Sequence, residues 1–217
     1  QGASGSDCSM MQDQFDCPPW LDVSRETFDK LAALCALVIR WTPAINLVSK
    51  STASQIWSRH ILDSAQIFSL IPATARHLVD LGSGGGFPGL VISVLAAEKM
   101  PDLAVTLVES DRRKSVFLSE AARTLGLKVA IITQRIDEIP PLSADVLSAR
   151  ALAALATLCT FADRHLAKDG TAIFMKGANY AEEVAEARKS WSFDSQIHQS
   201  RTDATAVVLE MKAIRHV

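Results

Sequence analysis

Cysteine is scarce in this chain: the four are Cys8, Cys17, Cys35 and Cys159, and no two stand as a CxxC pair. Cys35 and Cys159 fall within apolar helical patterns, where a small buried thiol is the expected state. The five histidines, at positions 60, 77, 165, 198 and 216, are dispersed, so no metal site is expected. Long apolar runs are missing too. The longest, 31–39 and 90–97, fall short of the ~20 residues a membrane span needs, so no membrane association is expected. The first twenty residues lack an apolar core, so no leader is expected there, and the expected location is the reducing cytoplasm. Nor is there a large excess of either charge. The chain has 22 basic and 24 acidic residues, a net of -2, which excludes a polycation but leaves room for a local basic face.

What is present suits an ordinary folded domain. The 217 residues are 48% apolar and 21% charged, close to the globular average. Residues 1–20, polar and ending in Pro18-Pro19, are expected to form a flexible tail. The remaining 21–217 are expected to form one domain, and a monomer is expected. Within it, 21–72 reads as a cap of two helices and 73–217 as an α/β core. Ser24 opens an apolar periodicity of 3 and 4 through Phe28, Leu31, Leu34, Cys35 and Val38, which predicts a helix ended by Pro43. A second helix is predicted over 53–70, closed by Pro72.

From there strands and helices alternate. Strands are predicted at 77–82, 103–110, 128–134, 144–150 and 171–177, with helices at 88–99, 111–125, 152–166 and 182–191. The strands are rich in Val, Ile and Leu, as in a parallel sheet covered on both faces. Two closing strands, 193–199 and 204–212, have little between them and are expected to pair antiparallel.

One turn in this pattern carries chemistry. Asp80-Leu-Gly82-Ser-Gly84-Gly85-Gly86-Phe87-Pro88-Gly89 joins the first strand to its helix, with five glycines in the eight residues from Gly82. Such a turn lets a ligand approach the backbone, and Pro88 suits the first turn of a helix whose free N–H groups face that ligand. Two cofactor templates match. Gly84-x-Gly86-x-x-Gly89 fits the dinucleotide fingerprint of an oxidoreductase. Asp80-x-Gly82-x-Gly84-x-Gly86 fits S-adenosylmethionine (SAM)-dependent methyltransferases. An acid at position 80 suits a sulfonium and an ammonium better than a pyrophosphate, so SAM is favoured. Glu109 ends the next strand, 23 residues after Gly86, where a carboxylate can accept both ribose hydroxyls of either cofactor. The closing antiparallel pair adds a fold-level analogy to a Rossmann-like, class I methyltransferase.

The residues NLVSK (46–50), RHILDS (59–64), LVDLGSGGGFPGL (78–90), VESDRRKSVFL (108–118) and SARAL (148–152) resemble the RsmG (GidB) family over about 30–177. That resemblance implies a SAM-dependent enzyme that methylates guanine N7 in 16S ribosomal RNA, acting on the small ribosomal subunit or an assembly intermediate. It implies that Gly82 and Phe87 touch SAM, that Ile136 and Asp137 flank the adenine, and that Arg150 serves cofactor and substrate. It marks Arg135 as another functional arginine. Where the family often has a basic residue in its last strand region, this chain has Thr202-Asp203-Ala204-Thr205.

The chemistry agrees with that implication. Guanine N7 carries an in-plane lone pair and no proton, so the task is exposure, alignment and exclusion of water. Arg135 and Arg150, the candidate catalytic residues, would then hold phosphate or a base edge. The Asn/Asp-Pro-Pro-aromatic motif typical of exocyclic-amine methylation is absent; 147–151 reads Leu-Ser-Ala-Arg-Ala. A cysteine nucleophile for cytosine C5 is absent as well. A methyltransferase of small molecules would also lack both. Arg59, His60, Arg112, Arg113, Lys114 and Lys176 fall near the same sheet edge and are expected to form a basic rim for RNA. His60 could equally be a satisfied histidine of a half-buried helix face, and Asn46 either a cap or a partner near the cofactor.

Overall fold

In a computed structural model of the chain, residues 15–49 and 55–217 are described. Most of the expected tail, with Cys8, and positions 50–54 lie outside them. Helix α1 (Arg25–Ile45) starts because Ser24 caps it: its hydroxyl accepts from the Thr27 N–H at 3.2 Å. Leu31, Leu34, Cys35 and Val38 bury one face. Pro43 sits inside the helix rather than ending it. Its missing N–H removes one donor from the last turn, where Thr42 Oγ1 also donates to Val38 O at 2.7 Å. Asn46, left-handed at φ 50°, ends the helix by donating its N–H to Thr42 O. Of the two roles open to Asn46, the cap is the one observed.

The second helix, α2 (57–70), is irregular where an even periodicity was predicted. It begins as a π-helical stretch (Trp57–Leu62), passes through one α turn (Asp63–Ala65) and tightens into a 3-10 end (Gln66–Leu70). Widened turns of this kind recur at functional sites, and this one carries Arg59 and His60.

The core alternates as expected: β1 (His77–Leu81), α3 (Gly89–Lys99), β2 (Ala104–Val108), α4 (Arg112–Leu125), β3 (Val129–Ile132), β4 (Ala144–Arg150), α5 (Leu155–His165), β5 (Leu166–Lys176), α6 (Tyr180–Ala187), β6 (Trp191–Gln199) and β7 (Val207–His216). Seven strands lie in the order β3-β2-β1-β4-β5-β7-β6. The first five run parallel, and β7 pairs antiparallel with both β5 and β6. The period of two along each strand divides the core. Leu78, Leu107 and Val146 face the layer of α1 to α4, whereas Val79, Val108 and Leu147 face α5 and α6. The N-terminal helices thus share the core of the sheet they cover.

Two boundaries differ from expectation. The helix predicted to reach Trp191 stops at Ala187, and Trp191 opens β6, where the sheet buries its indole. The helix predicted to reach Leu166 stops at His165, and β5 starts there, hidden in the sequence by Lys168-Asp169-Gly170. The order reverses between β1 and β4, so the loops after β1, β2, β3 and β4 meet over one edge, where open α/β sheets bind ligands. Among the described residues no helix is long and apolar enough to cross a membrane.

Candidate active site

A cleft of about 640 Å³ opens over the carboxyl ends of β1 to β4. That lies within the roughly 300–1,000 Å³ typical of small-molecule sites. Its floor is the glycine-rich loop, its far wall Gln134 to Asp137, and its near wall Phe87, His60 and Arg150. Leu47 to Ser49, from the NLVSK stretch after α1, also line it.

The loop is held from below. The N–H groups of Gly82 and Ser83 donate to Val108 O at 2.9 and 3.1 Å, and Gly86 N–H donates to Ser83 O at 2.7 Å. Its glycines divide by role. At Gly84 (φ +53°) an added Cβ would meet only Gly82 O, at 3.7 Å, so a side chain would stand in the cleft. At Gly86 (φ +86°) a Cβ would strike Leu90 Cδ1 at 2.4 Å, and Gly86 does not line the cleft. Gly86 therefore lets α3 pack against the loop, and its expected cofactor contact is corrected on that ground.

Glu109 follows β2 at the cleft and is only 8% exposed. Its Oε2 accepts from Gly84 N–H and its Oε1 from Asp111 N–H, both at 2.8 Å. The carboxylate thus joins two loops and still has lone pairs for ligand hydroxyls. Glu109→Ala is expected to weaken SAM binding by about 1.5–3 kcal/mol and also to lower the melting temperature, since two backbone donors lose their partner. Calorimetry paired with thermal unfolding checks both; a lowered melting point with unchanged affinity would leave Glu109 a purely structural role.

Asp80 lies under the loop and outside the cleft lining, which corrects its expected contact with a ligand's positive charge. It is fully buried; Oδ1 accepts from Ser148 Oγ at 2.8 Å and Oδ2 from Gly89 N–H at 3.2 Å. The reason is the strand period: residue 80 faces α3, whose first turn it ties to β4. Burial pushes its carboxyl up to about 6, against the pull of those hydrogen bonds.

Arg150, His60 and Phe87 form one cluster. The His60 ring stacks on Phe87 with centroids 5.1 Å apart, and the Arg150 guanidinium lies 5.1 Å from the same ring. Arg150 Nη2 donates to His60 Nδ1 at 2.7 Å, and Nη1 to Arg59 O at 3.0 Å and Asp63 Oδ2 at 3.3 Å. Burial, with Arg150 and Arg59 nearby, pushes His60 down to about 4, so its imidazole is neutral at physiological pH.

Asp80 and His60 act oppositely on stability. Between about 3.8 and 6 the folded chain holds a proton at Asp80 that the unfolded chain has released, so stability from this group falls as pH rises. Between about 4 and 6.5 the unfolded chain binds a proton at His60 that the folded chain refuses, so stability from that group rises with pH. Asp80→Asn removes the first effect. Melting temperatures should then show the variant gaining on the native chain as pH rises from 4 to 6.5; a constant difference would contradict the placement of Asp80.

The remaining expected residues scatter. Ile136 and Asp137 line the cleft. Arg135 does too, ion-paired with Asp137 at 3.2 Å and open to solvent. The turn that carries them is held by two residues the sequence did not single out: His165 Nε2 bonds to Ile136 O at 3.0 Å, and Arg164 donates to Ile139 O at 2.7 Å. Lys114 lines the cleft, Arg113 is exposed, and Arg112 borders a separate hollow beside Trp41. Arg59 pairs with Asp203 at 2.9 Å. Lys176 is not on an open rim: only 9% exposed, it pairs with Glu183 at 2.6 Å, donates to Ala153 O at 3.0 Å and lines a second, recessed cavity. Cys35 and Cys159 are buried, which pushes their thiols up to about 11 and about 12.

The turn between β6 and β7 docks on α2. Thr202 Oγ1 donates to Asp63 Oδ1 at 2.7 Å, and Arg201 N–H donates to Gln66 Oε1 at 2.8 Å. Asp63 therefore holds Arg150 on one side and this turn on the other. Among the described residues no cluster of His, Cys, Asp and Glu could hold a metal ion.

Known proteins are similar to this chain in sequence and in fold. The chain is 51% identical over 208 residues to a ribosomal RNA small subunit methyltransferase G of Cereibacter sphaeroides, covering 96% of this chain and all of that one. It is 45% identical over 199 residues to the protein of the same name in a Jannaschia species, covering 91% and 94%. Among solved structures, a SAM-dependent methyltransferase from Aquifex aeolicus superposes with TM-score 0.57 at 12% identity, over 82% of this chain and 97% of that one. M. jannaschii TYW2 in complex with AdoMet superposes with TM-score 0.54 at 15% identity, over 76% and 80%. These two share the fold. Residues 27–211 match the GidB family, rRNA small subunit methyltransferase G, and the chain belongs to that family.

Proposed function

We propose that this chain transfers the methyl group of SAM to N7 of a guanine in 16S ribosomal RNA, on the small subunit or an assembly intermediate in the cytoplasm. The observation that carries this reading is the floor of the cleft, where the bare backbone of Gly84 stands beside the Glu109 carboxylate. Those residues fit the cofactor. Gly84 leaves room for it, Glu109 offers acceptors to ribose hydroxyls, and Ile136 with Asp137 would flank the adenine. When bound, SAM supplies a methyl on a positively charged sulfur, which departs as a neutral thioether as the N7–carbon bond forms.

What the chain must then do is hold and exclude. N7 has no proton to lose, so no side chain has to serve as a base. His60 fits that absence: its Nδ1 is engaged by Arg150 and its ring packs on Phe87. Arg150 orients the guanine beside the cleft. Arg135 and Lys114, at the mouth, contribute charge for phosphates.

Incubation with tritiated SAM and small ribosomal subunits that lack the modification should place label on one guanine of 16S RNA. Label on small molecules in an extract and none on RNA would overturn the substrate; NADH titration, expected to show no binding, controls for the dinucleotide alternative.

A further inference from the structure

Behind the Arg150 cluster lies a second cavity, of about 420 Å³, over the ends of β5 and β7. His60, Arg150 and Ala151 line both it and the cleft, so the two spaces adjoin at those residues. Its far side holds Asp63, Lys176, Glu183 and Ser200. Both oxygens of Asp63 are engaged: Oδ1 accepts from Gln66 and Thr202, and Oδ2 from Arg150. Glu183 is not. Its Oε2 takes Lys176 Nζ at 2.6 Å and Leu155 N–H at 2.8 Å, and no hydrogen bond reaches Oε1 among the described residues.

We infer that this cavity receives the target guanine, with Arg150 at its O6 and Glu183 accepting from its N1–H and N2 amine. The inference rests on the function proposed above. It follows from how guanine is built: N7 and O6 share one edge, and the N1–H and N2 donors lie on the next. With N7 turned toward the cleft where the two spaces adjoin, O6 falls beside Arg150, which has five N–H donors and spends three on Arg59, Asp63 and His60. The donor edge then points deeper, where a carboxylate with an unused oxygen stands. Adenine would set its N6 amine against the arginine donors and its N1 lone pair against the carboxylate, so the same two groups reject it.

Glu183 also bears on rate. Methylation makes the ring cationic and its N1–H more acidic, so a carboxylate on that hydrogen binds more strongly as the methyl arrives. Its effect falls on turnover and not on cofactor affinity.

Gly177 gives a clean way to close the cavity. It lines the space, and a Cβ there would meet nothing within 4 Å. Gly177→Phe is expected to lower methyl transfer to small subunits at least 30-fold while SAM affinity and melting temperature stay near those of the native chain. Glu183→Gln should lower kcat at least 10-fold, again with SAM affinity held within twofold. Small subunits reconstituted with inosine at the mapped target, which lacks only the N2 amine, give a readout that a structural role would not move. The native enzyme should turn over inosine about 10-fold more slowly than guanine, and Glu183→Gln should treat the two alike. Native turnover in Gly177→Phe, or undiminished discrimination in Glu183→Gln, overturns the inference and leaves the proposed function standing. A native chain that labels no small-subunit RNA overturns both.

Discussion

Arg150→Ala is expected to lower methyl transfer about 10- to 1000-fold, because a misaligned reactant loses most of what an organised site supplies. SAM affinity should fall less, since Arg150 borders the cofactor cleft from one side only. A cost in stability should accompany the loss. Arg150 holds Asp63, His60 and the Arg59 carbonyl, and its side chain is only 16% exposed. Removing these bonds should cost about 1–3 kcal/mol. Arg150→Lys should rescue poorly, because an ammonium cannot bridge three acceptors in a plane while packed on the Phe87 ring. Single-turnover assays on small subunits, with calorimetry for SAM, separate these effects. Full turnover in Arg150→Ala would remove Arg150 from substrate handling.

The second large effect is expected at the floor of the cleft. Gly84→Val should abolish measurable SAM binding and leave the sheet folded. The residue is left-handed, so a β-branched side chain adds about 1–2 kcal/mol of backbone strain. More important, that side chain would point into open cleft space and crowd the Glu109 contact. Calorimetry showing native affinity would move the cofactor site elsewhere; circular dichroism confirms that the fold survives.

Much of this fold was written in local pattern. β4 runs over the same seven residues, 144–150, that the sequence marks as a strand, and Gly126 ends α4 where a left-handed residue was needed. The cleft loop was legible because five clustered glycines have no cheaper explanation. What stayed hidden depends on partners far along the chain. Asp80 reads as a ligand-facing acid until the strand period turns it under α3. Lys176 reads as an open cation until Glu183, on the next helix, claims it. Gly86 and Gly84 look alike in sequence and differ only in what stands beside them, Leu90 or empty space. No pattern near Ile136 announces that Arg164 and His165 hold its turn.

The turn between β6 and β7 gives the site an order of assembly. Thr202 and Asp63 are 139 positions apart, and the bond between them shares its carboxylate with Arg150. Loop closure over such a span is slow, and a surface turn held by a few polar bonds is among the first parts of a fold to open. The cleft floor, built from contacts within and between neighbouring strands, can therefore form while this seam is still apart. A chain in that state would have its glycine-rich loop in place and an unanchored Arg150: able to take up cofactor, unable to spend it. Nicking the chain within the turn should produce that uncoupled enzyme on demand.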